Sequence, residues 1–388
     1  MKRLLILSHM FPNRNDPRLG IFVYDQLIAL KDRYAIQVLA PAPWFPNLPL
    51  FSRWSRHRRV EKAAMLNGLT VAYPRRLVFP KGYGQVLMGL FYFIAAYRRC
   101  KKLDFDLVHG HAVWPDGFAA SLIGRLLHKP VVITSHGADT YRFLTNITTR
   151  PLVRWGLRHA QRVIAVSLAE KQFLQRWCGI EEKLVLINNG VNLEKFYPQP
   201  MNTCRQRLHL APDKKIILYV GYLYPVKGVT YLLDAFSRLR RLRPDLHLVL
   251  VGGGSEREAL STQASRLGIT AHVTFSGEQP HDEIPLWMNA ANLFCLPSLN
   301  EGWPTVLFEA LACAKPIVAT RVGGIPEAIG DERYAILVEP AQPQPLAEAL
   351  DRALLKAWNP SDLTDYARRN SWQAKADELH IIYESLTP

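Results

Sequence analysis

At 388 residues the chain is too long for one ordinary domain and comfortable for two, and with 48% apolar residues it can build two sizeable cores. It shows no solenoid-period repeat and no low-complexity tract. Its five scattered cysteines, Cys100, Cys178, Cys204, Cys295 and Cys313, lack CxxC spacing, which argues against a disulfide framework or zinc site and for reduced thiols. The net charge of +15 is confined to the first half. Residues 1–200 carry 29 Lys and Arg against 12 Asp and Glu, and the remainder 19 against 21, so an anionic partner is expected: nucleic acid, a phospholipid surface or a phosphorylated substrate.

In chain order, the apolar run Leu4–Leu7 is too short for the core of a signal peptide and reads as part of a first buried strand, Leu4–Ser8. A helix over Ile21–Lys31 and a strand over Ile36–Ala40 follow. Residues 41–85, rich in Pro, Trp, Phe and Arg, interrupt the pattern as a long loop, functional or disordered. The stretch Val86–Tyr97 falls short of the roughly 20 residues of a membrane span and predicts a buried core helix. The chain is therefore expected to cross no membrane and to stay in the cytoplasm. Strands at Leu107–His109, Val131–Ser135 and Val163–Val166 flank a helix at Ala119–Leu127, and Asn188–Pro200 reads as a linker. Beyond it come strands Ile216–Val220, Leu246–Val251, His272–Phe275, Leu293–Leu296 and Pro316–Ala319, with helices Thr230–Arg241 and Pro304–Ala312. The alternation predicts two α/β domains with doubly wound parallel sheets, residues 1–195 and 196–371. A final helix carries Trp372, Ala376, Leu379, Ile382, Tyr383 and Leu386 at helical spacing and needs a partner surface.

The strongest chemical signal is Pro297-Ser298-Leu299-Asn300-Glu301-Gly302-Trp303-Pro304-Thr305-Val306-Leu307-Phe308-Glu309-Ala310, which follows a strand and opens a helix. Free backbone N–H groups and the positive end of the helix dipole make such a turn a site for a diphosphate. Glu301 precedes the helix and Glu309 lies two turns into it. One carboxylate can reach sugar hydroxyls and the other a ribose diol, although alone the pair reads rather as a dipole partner and a solvated helix residue. Lys227, before Gly228 and after a strand, can neutralise a departing diphosphate. His136 ends the strand Val131–Ser135 and reads either as a site residue or as a satisfied strand-end histidine. Asp104-Phe105-Asp106 has the form of a metal-binding DxD motif but abuts a strand, and no metal is expected there. Gly252-Gly253-Gly254 does not have GxGxxG spacing, so an NAD-dependent enzyme has little support. A nucleic-acid binder, suggested by the basic half, lacks a readout motif.

Glu301 to Glu309 resembles the E-x7-E motif of retaining glycosyltransferases of family four, which have the GT-B fold. Other segments are similar in the same order: FPNRNDPRLGIF with Gly20, DLVHGHAVWPDG, ITSHGADT, Asn189-Gly190-Val191-Asn192 with Phe196, LYVGYLYPVKG, VGGGSER and VATRVGGIPE. The resemblance spans nearly the whole chain, and polysaccharide-assembly enzymes of the teichuronic-acid type are similar in kind. It implies two Rossmann-like domains facing across a cleft, with the last helix packed back on the first domain. It implies a UDP- or GDP-sugar donor, no cofactor and no nucleic acid. Donor contacts would come from Gly20, Gly221, Tyr222, Lys227, Ser298, Glu301, Gly302, Trp303, Pro304, Thr305, Val306 and Glu309, and catalysis from His136, Lys227 and Glu301. Tyr222 departs from the Arg common after this glycine and supplies no charge. His111, Trp114, Asp139, Arg53 and Arg56 are the acceptor-side candidates, although packing is the default reading of His111 and Trp114 and a helix N-cap reads as well for Asp139. The implied chemistry is front-face departure of the nucleoside diphosphate, whose phosphate oxygen takes the acceptor proton, with domain closure excluding water. The cation-aromatic run Phe51–Arg59 and the patch Arg98–Lys102 point to anionic lipid and a glycan or lipid-linked acceptor at the inner face of the plasma membrane.

Overall fold

The computed structural model describes residues 1–44, 60–78 and 84–387. The chain forms two compact units, Met1–Asn189 with Trp372–Pro388, and Gly190–Ser371. The first division thus falls slightly ahead of the expected 195/196.

Unit 1 contains β1 (Arg3–Ser8), β2 (Ala35–Leu39), β3 (Ala42–Trp44), β4 (Ala63–Leu66), β5 (Leu69–Ala72), β6 (Arg75–Leu77), β7 (Leu107–His111), β8 (Val131–Ser135), β9 (Arg162–Ala165) and β10 (Leu184–Leu186). Eight of them form a sheet in the order β10-β9-β8-β7-β1-β2-β5-β4, and β3 pairs with β6. All pairs are parallel except β4 with β5. Every residue of β7 and β8 is buried, the signature of a parallel sheet covered on both faces. Register aligns Ser8 with His111 and His111 with Thr134, gathering polar groups at the carboxyl ends of neighbouring strands.

Two expectations need correction. Residues 41–85 are not one structureless loop, because four short strands lie within them. Asn67 and Gly68, at φ 47° and 91°, form the two-residue turn that makes β4 and β5 an antiparallel hairpin. The helix Gln85–Cys100 is not a fully buried core helix. It buries Gly89, Tyr92, Ala95, Ala96 and Cys100 but exposes Val86, Leu87 and Leu90. All five cysteines are buried and unpaired. Among the described residues no helix is long and apolar enough to cross a membrane.

The final helix, Trp372–Leu386, belongs to unit 1. Ala376, Leu379, Ile382 and Tyr383 enter a core built by Leu4, Val23, Leu27, Tyr34 and Val38. Polar contacts fix its register: Arg33 Nη2 donates to Asp377 at 2.6 Å and Lys2 Nζ to Glu384 at 2.7 Å. Its most buried contact joins the Tyr383 hydroxyl to His109 Nδ1 at 2.7 Å.

Unit 2 contains β11 (Lys215–Val220), β12 (Leu246–Val251), β13 (Val273–Gly277), β14 (Leu293–Leu296), β15 (Ile317–Thr320) and β16 (Ala335–Val338). Its sheet is wholly parallel in the order β13-β12-β11-β14-β15-β16, the Rossmann arrangement, whose switch point lies between β11 and β14. The chain enters and leaves this unit at one place, since Val191 N donates to the Asn370 carbonyl at 3.0 Å and Val191 bridges Ser371 in parallel.

Tyr383→Phe removes the hydroxyl that satisfies His109 without changing shape. We expect a loss of about 1–3 kcal/mol, the cost of one orphaned buried polar group, read as a lower urea midpoint for unit 1. An unchanged midpoint would show that this contact does not hold the last helix.

Candidate functional site

In unit 2 the groups gather at the switch point. Lys227 closes the short turn Pro225–Lys227 after β11, and Leu299 N donates to the Val226 carbonyl at 2.8 Å, tying this loop to the one after β14. Lys227 Nζ then lies 2.7 Å from Glu301 Oε1, and the fully buried Ser298 hydroxyl donates to the same oxygen at 2.7 Å. The Glu301 side chain is 10% exposed and that of Lys227 24%, so the pair is partly desolvated and still reachable. The loop after β15 holds Glu301 from behind. Gly323, at φ 51°, brings its backbone so close that a Cβ there would stand 1.8 Å from the Glu301 carbonyl oxygen.

Behind this loop the helix Thr305–Ala312 begins at Pro304 with no side chain capping it, which leaves its first turn available to an anion. Gly302 is exposed, Trp303 stacks on Phe308, and Thr305 and Val306 are half-buried. Glu309 is 14% exposed and lies 3.4 Å from His281 Nε2, whose ring rests edge-on against Phe196. Tyr222 is exposed and stacked on Tyr224, while its carbonyl accepts from the Tyr219 hydroxyl at 2.8 Å. Unit 2 therefore brings Lys227, Ser298 and Glu301 into contact, with Glu309 beside His281.

In unit 1 the groups lie at the carboxyl ends of β1, β7 and β8. His136 Nε2 is 3.2 Å from His111 Nδ1, and Phe22 packs on the His136 ring. Ser135, Gly137 and Val166 all donate to the fully buried carboxylate of Glu170, at 2.6 Å from Gly137 N and 3.1 Å from Val166 N, which fixes the loop carrying His136. His9 is clasped by buried Asp116, which accepts from the His9 backbone N at 2.7 Å and contacts Nδ1. Gly20, at φ 65°, starts the helix Ile21–Leu30, and a Cβ there would stand 2.2 Å from the Met10 carbonyl oxygen.

For two acceptor-side candidates the packing reading holds, and for a third the helix-cap reading fails. Trp114 is fully buried against Gly89, Phe118 and Phe143, so it is a core residue. His111 is also fully buried and serves His136 rather than a surface. Asp139 does not cap its helix, because Gly137 occupies the cap position and Asp139 sits in the first turn. Arg53 and Arg56 lie outside the described residues. Asp104 and Asp106 are engaged by Arg3, with Asp106 also accepting from the Arg3 backbone N at 2.8 Å, an arrangement that ties β1 to the loop before β7.

Residues 201–370 match the family of glycosyl transferases group 1, and residues 19–195 match glycosyltransferase family 4. The chain belongs to the glycosyltransferases. It is 27% identical over 406 aligned positions to Bacillus subtilis TuaC, a glycosyltransferase named for teichuronic acid biosynthesis, covering 99% of both chains. It is 33% identical to the D-inositol 3-phosphate glycosyltransferase of Streptomyces bingchenggensis, over 72% of this chain and 66% of that protein. Among solved structures it resembles Thermosynechococcus elongatus sucrose-phosphate synthase, with TM-score 0.77, 22% identity and coverage of 100% and 99%. It also resembles Anabaena HepE in complex with UDP, with TM-score 0.75, 22% identity and full coverage of both chains. These likenesses give the glycosyltransferase the GT-B fold expected from its sequence.

Four residues that support these groups in the glycosyltransferase escaped the sequence reading: His9, His109, Glu170 and His281. Only Glu170 carries a local signal. Ser167 and Glu170 form a capping-box pattern, and Ser167 does accept from Glu170 N at 3.3 Å. Nothing in that pattern says that the carboxylate reaches back to Gly137.

The histidines make unit 1 sensitive to acid. Burial, with His136 nearby, pushes His109 down to about 3, and burial, with His9 nearby, pushes His136 down to about 3. Burial beside both rings pushes His111 well below its ordinary range. Between those values and the unfolded value near 6.5, the unfolded chain binds more protons, so acid favours unfolding. Burial opposes protonation of His9, but Asp116 outweighs it and raises this residue; its extra stability is present below 6.5 and fades as pH rises through its folded value. We expect the denaturation midpoint of unit 1 to fall as pH drops from about 6.5 towards 3. A flat profile over that window would mean that these rings protonate freely in the fold.

Proposed function

We propose that the enzyme is a retaining, metal-independent glycosyltransferase that moves a sugar from a nucleoside diphosphate donor to a lipid-linked glycan in cell-surface polysaccharide assembly. The observation that carries this reading is the Lys227–Glu301–Ser298 contact at the switch point, beside an uncapped helix start. Lys227 and the first turn at Pro304, Thr305 and Val306 hold the diphosphate, with Gly221, Gly302 and Trp303 shaping the surrounding loops. Glu301 receives sugar hydroxyls, exchanging part of its bond to Lys227 for them. Glu309 accepts the ribose diol, and His281 keeps its carboxylate in place. The HepE structures hold UDP and UDP-glucose, which favours a uridine donor here. TuaC, matched over 99% of both chains, favours a surface polysaccharide acceptor.

Catalysis on this reading is positioning plus stabilisation of the departing diphosphate by preorganised charge. The nucleoside diphosphate leaves from the face on which the acceptor arrives. The Asp104 and Asp106 carboxylates are occupied by Arg3, which supports a metal-independent reaction. Work on the cytoplasmic face of the membrane is supported by the helix Gln85–Cys100. It exposes Val86, Leu87 and Leu90 at one end and Arg98 and Arg99 at the other, followed by exposed Lys101 and Lys102.

Lys227→Ala should lower turnover with the preferred nucleotide sugar by about a hundredfold or more, and EDTA should leave the parent enzyme unchanged. Glu309→Ala should weaken binding of the preferred nucleoside diphosphate in calorimetry. Normal turnover by folded Lys227→Ala, or no response to a panel of UDP- and GDP-sugars, would sink the assignment. Sedimentation with liposomes checks the membrane reading: binding should require anionic lipid, fall with salt, and drop when Leu87 and Leu90 become Ser. Equal partitioning onto neutral vesicles would point to a soluble acceptor instead.

A further inference from the structure

We propose that unit 1 carries a second anion site, a cavity at the amino edge of its sheet that takes a diphosphate borne by a small soluble molecule. The cavity has a volume of about 580 Å³, within the range of small-molecule sites. It lies where the strand Val131–Ser135 begins, whereas His136 follows the other end of that strand. The carboxyl edge keeps the chemistry; the amino edge holds charge and carries out no reaction.

The lining offers hydrogen-bond donors and positive charge. Arg125, His128 and Lys129 come from the end of the helix Phe118–Leu127 and the residues just beyond it, and His159 and Gln161 from a second segment. Gln161 Oε1 accepts from Val131 N at 2.7 Å, which leaves its NH2 end for a ligand. His159 Nδ1 donates to the Trp155 carbonyl at 2.8 Å and its ring stacks on Trp155, so protonation adds a donor at Nε2. Among the described residues the lining holds no carboxylate, and Arg125, His128 and Lys129 form no ion pair. Arg3, and more weakly Lys129, hold the nearby Asp106 carboxyl below its ordinary range, but Arg3 already takes that acid.

Basic side chains at helix ends ordinarily answer the negative end of the helix dipole. Both helix ends at this cavity are answered otherwise. The Gly124 carbonyl accepts from His128 N and from Lys129 N. At the end of the helix Arg150–His159, Lys183 Nζ donates to the Arg158 and Ala160 carbonyls at 2.6 and 3.0 Å. His128 itself sits at φ 52°, in the left-handed region where a helix usually ends on glycine. Histidine there costs conformational energy that glycine would spare, and it adds a further basic group to the cavity.

Gathered cations without a carboxylate repel one another, and an anion relieves that repulsion. Arg and Lys suit phosphate oxygens through charge-assisted hydrogen bonds. The donors belong to two segments of chain, so a ligand with two phosphate groups can meet both. An adjoining hollow of about 400 Å³ shares His128, Lys129 and Pro130 and is bordered by Leu386 and Thr387, which leaves room for the group that bears the diphosphate. A recess takes a free molecule, whereas a bilayer meets an outward face such as the one that exposes Leu87 and Leu90.

The probe is inorganic pyrophosphate, titrated by calorimetry into the full chain. Pyrophosphate also suits the Lys227 loop, so the titration is made in the Lys227→Ala background. That enzyme should still bind pyrophosphate, more weakly as salt rises. Adding Arg125→Ser and Lys129→Ser should weaken the binding by about tenfold or more, whereas Arg125→Lys with Lys129→Arg, which keeps both charges, should retain it. Should the Ser pair fail to fold, Arg125→Ser alone carries the test, since Arg125 is exposed. Equal binding by the Ser variants, or no binding by Lys227→Ala, overturns the inference. Vesicles of phosphatidic acid decide the source of the anion. The Ser pair should sediment with them as the parent does; loss of sedimentation would assign these cations to a lipid headgroup and overturn the soluble ligand.

Discussion

A parallel sheet covered on both faces has no room for chemistry along its strands, so polar work is confined to the loops at their carboxyl ends. Both units obey this constraint. In unit 1 it gathers His9, His111 and His136 at the ends of β1, β7 and β8. In unit 2 it stacks the loops after β11, β12, β14 and β15 so tightly that backbone meets backbone. Gly323 lies against Glu301 and Gly252 against Gly221, where a Cβ would stand 1.9 Å from the Gly221 carbonyl oxygen. A side chain at either place would displace a loop that presents Lys227 or Glu301.

Crowding polar groups at strand ends raises the question of what satisfies them, and the two units answer differently. Unit 2 balances a cation against an anion, Lys227 against Glu301, and leaves the pair within reach of solvent. Such a pair can exchange partners with a charged ligand at modest cost, because neither group has been fully desolvated. Unit 1 relies on backbone and hydroxyl donors. Glu170 is fully buried yet takes its hydrogen bonds from Ser135, Gly137 and Val166. That favours rigidity: the His136 loop is tied by one carboxylate to two strand ends. In this interior burial keeps His109, His111 and His136 neutral.

The sequence makes the architecture legible because both sheets are built from short Val-, Ile- and Leu-rich runs separated by helical stretches. The strand Val131–Ser135 and the helix Trp372–Leu386 have the bounds that their patterns indicate. The hairpin at 63–72 is hidden by its Ala-rich, half-exposed strands, although Asn67-Gly68 is the turn dipeptide that marks it. In the site, Lys227, Ser298 and Glu301 stand out because they flank a strand-to-helix turn. Trp114 can be read two ways, since an aromatic residue beside Pro and Asp suits a binding surface as well as a core, and three-dimensional packing decides for the core by showing it filling the space over Gly89. His9 is invisible for another reason. Its partner Asp116 is 107 positions away, and no spacing rule connects residues that meet only through strand register.

The chain runs through unit 1, then all of unit 2, and returns to unit 1 for its last helix. Emerging from the ribosome in that order, residues 190–371 are a continuous piece that can fold once it is out. The earlier residues 1–189 cannot close their core, because Ala376, Leu379 and Tyr383 have yet to be made. Until then His109 waits without its tyrosine, and the apolar groove over Val23 and Leu27 stands open. Completion of the older half of the protein therefore depends on residues made only after all of unit 2, which makes a chain that stops short of residue 372 a natural client for chaperones despite its finished second unit.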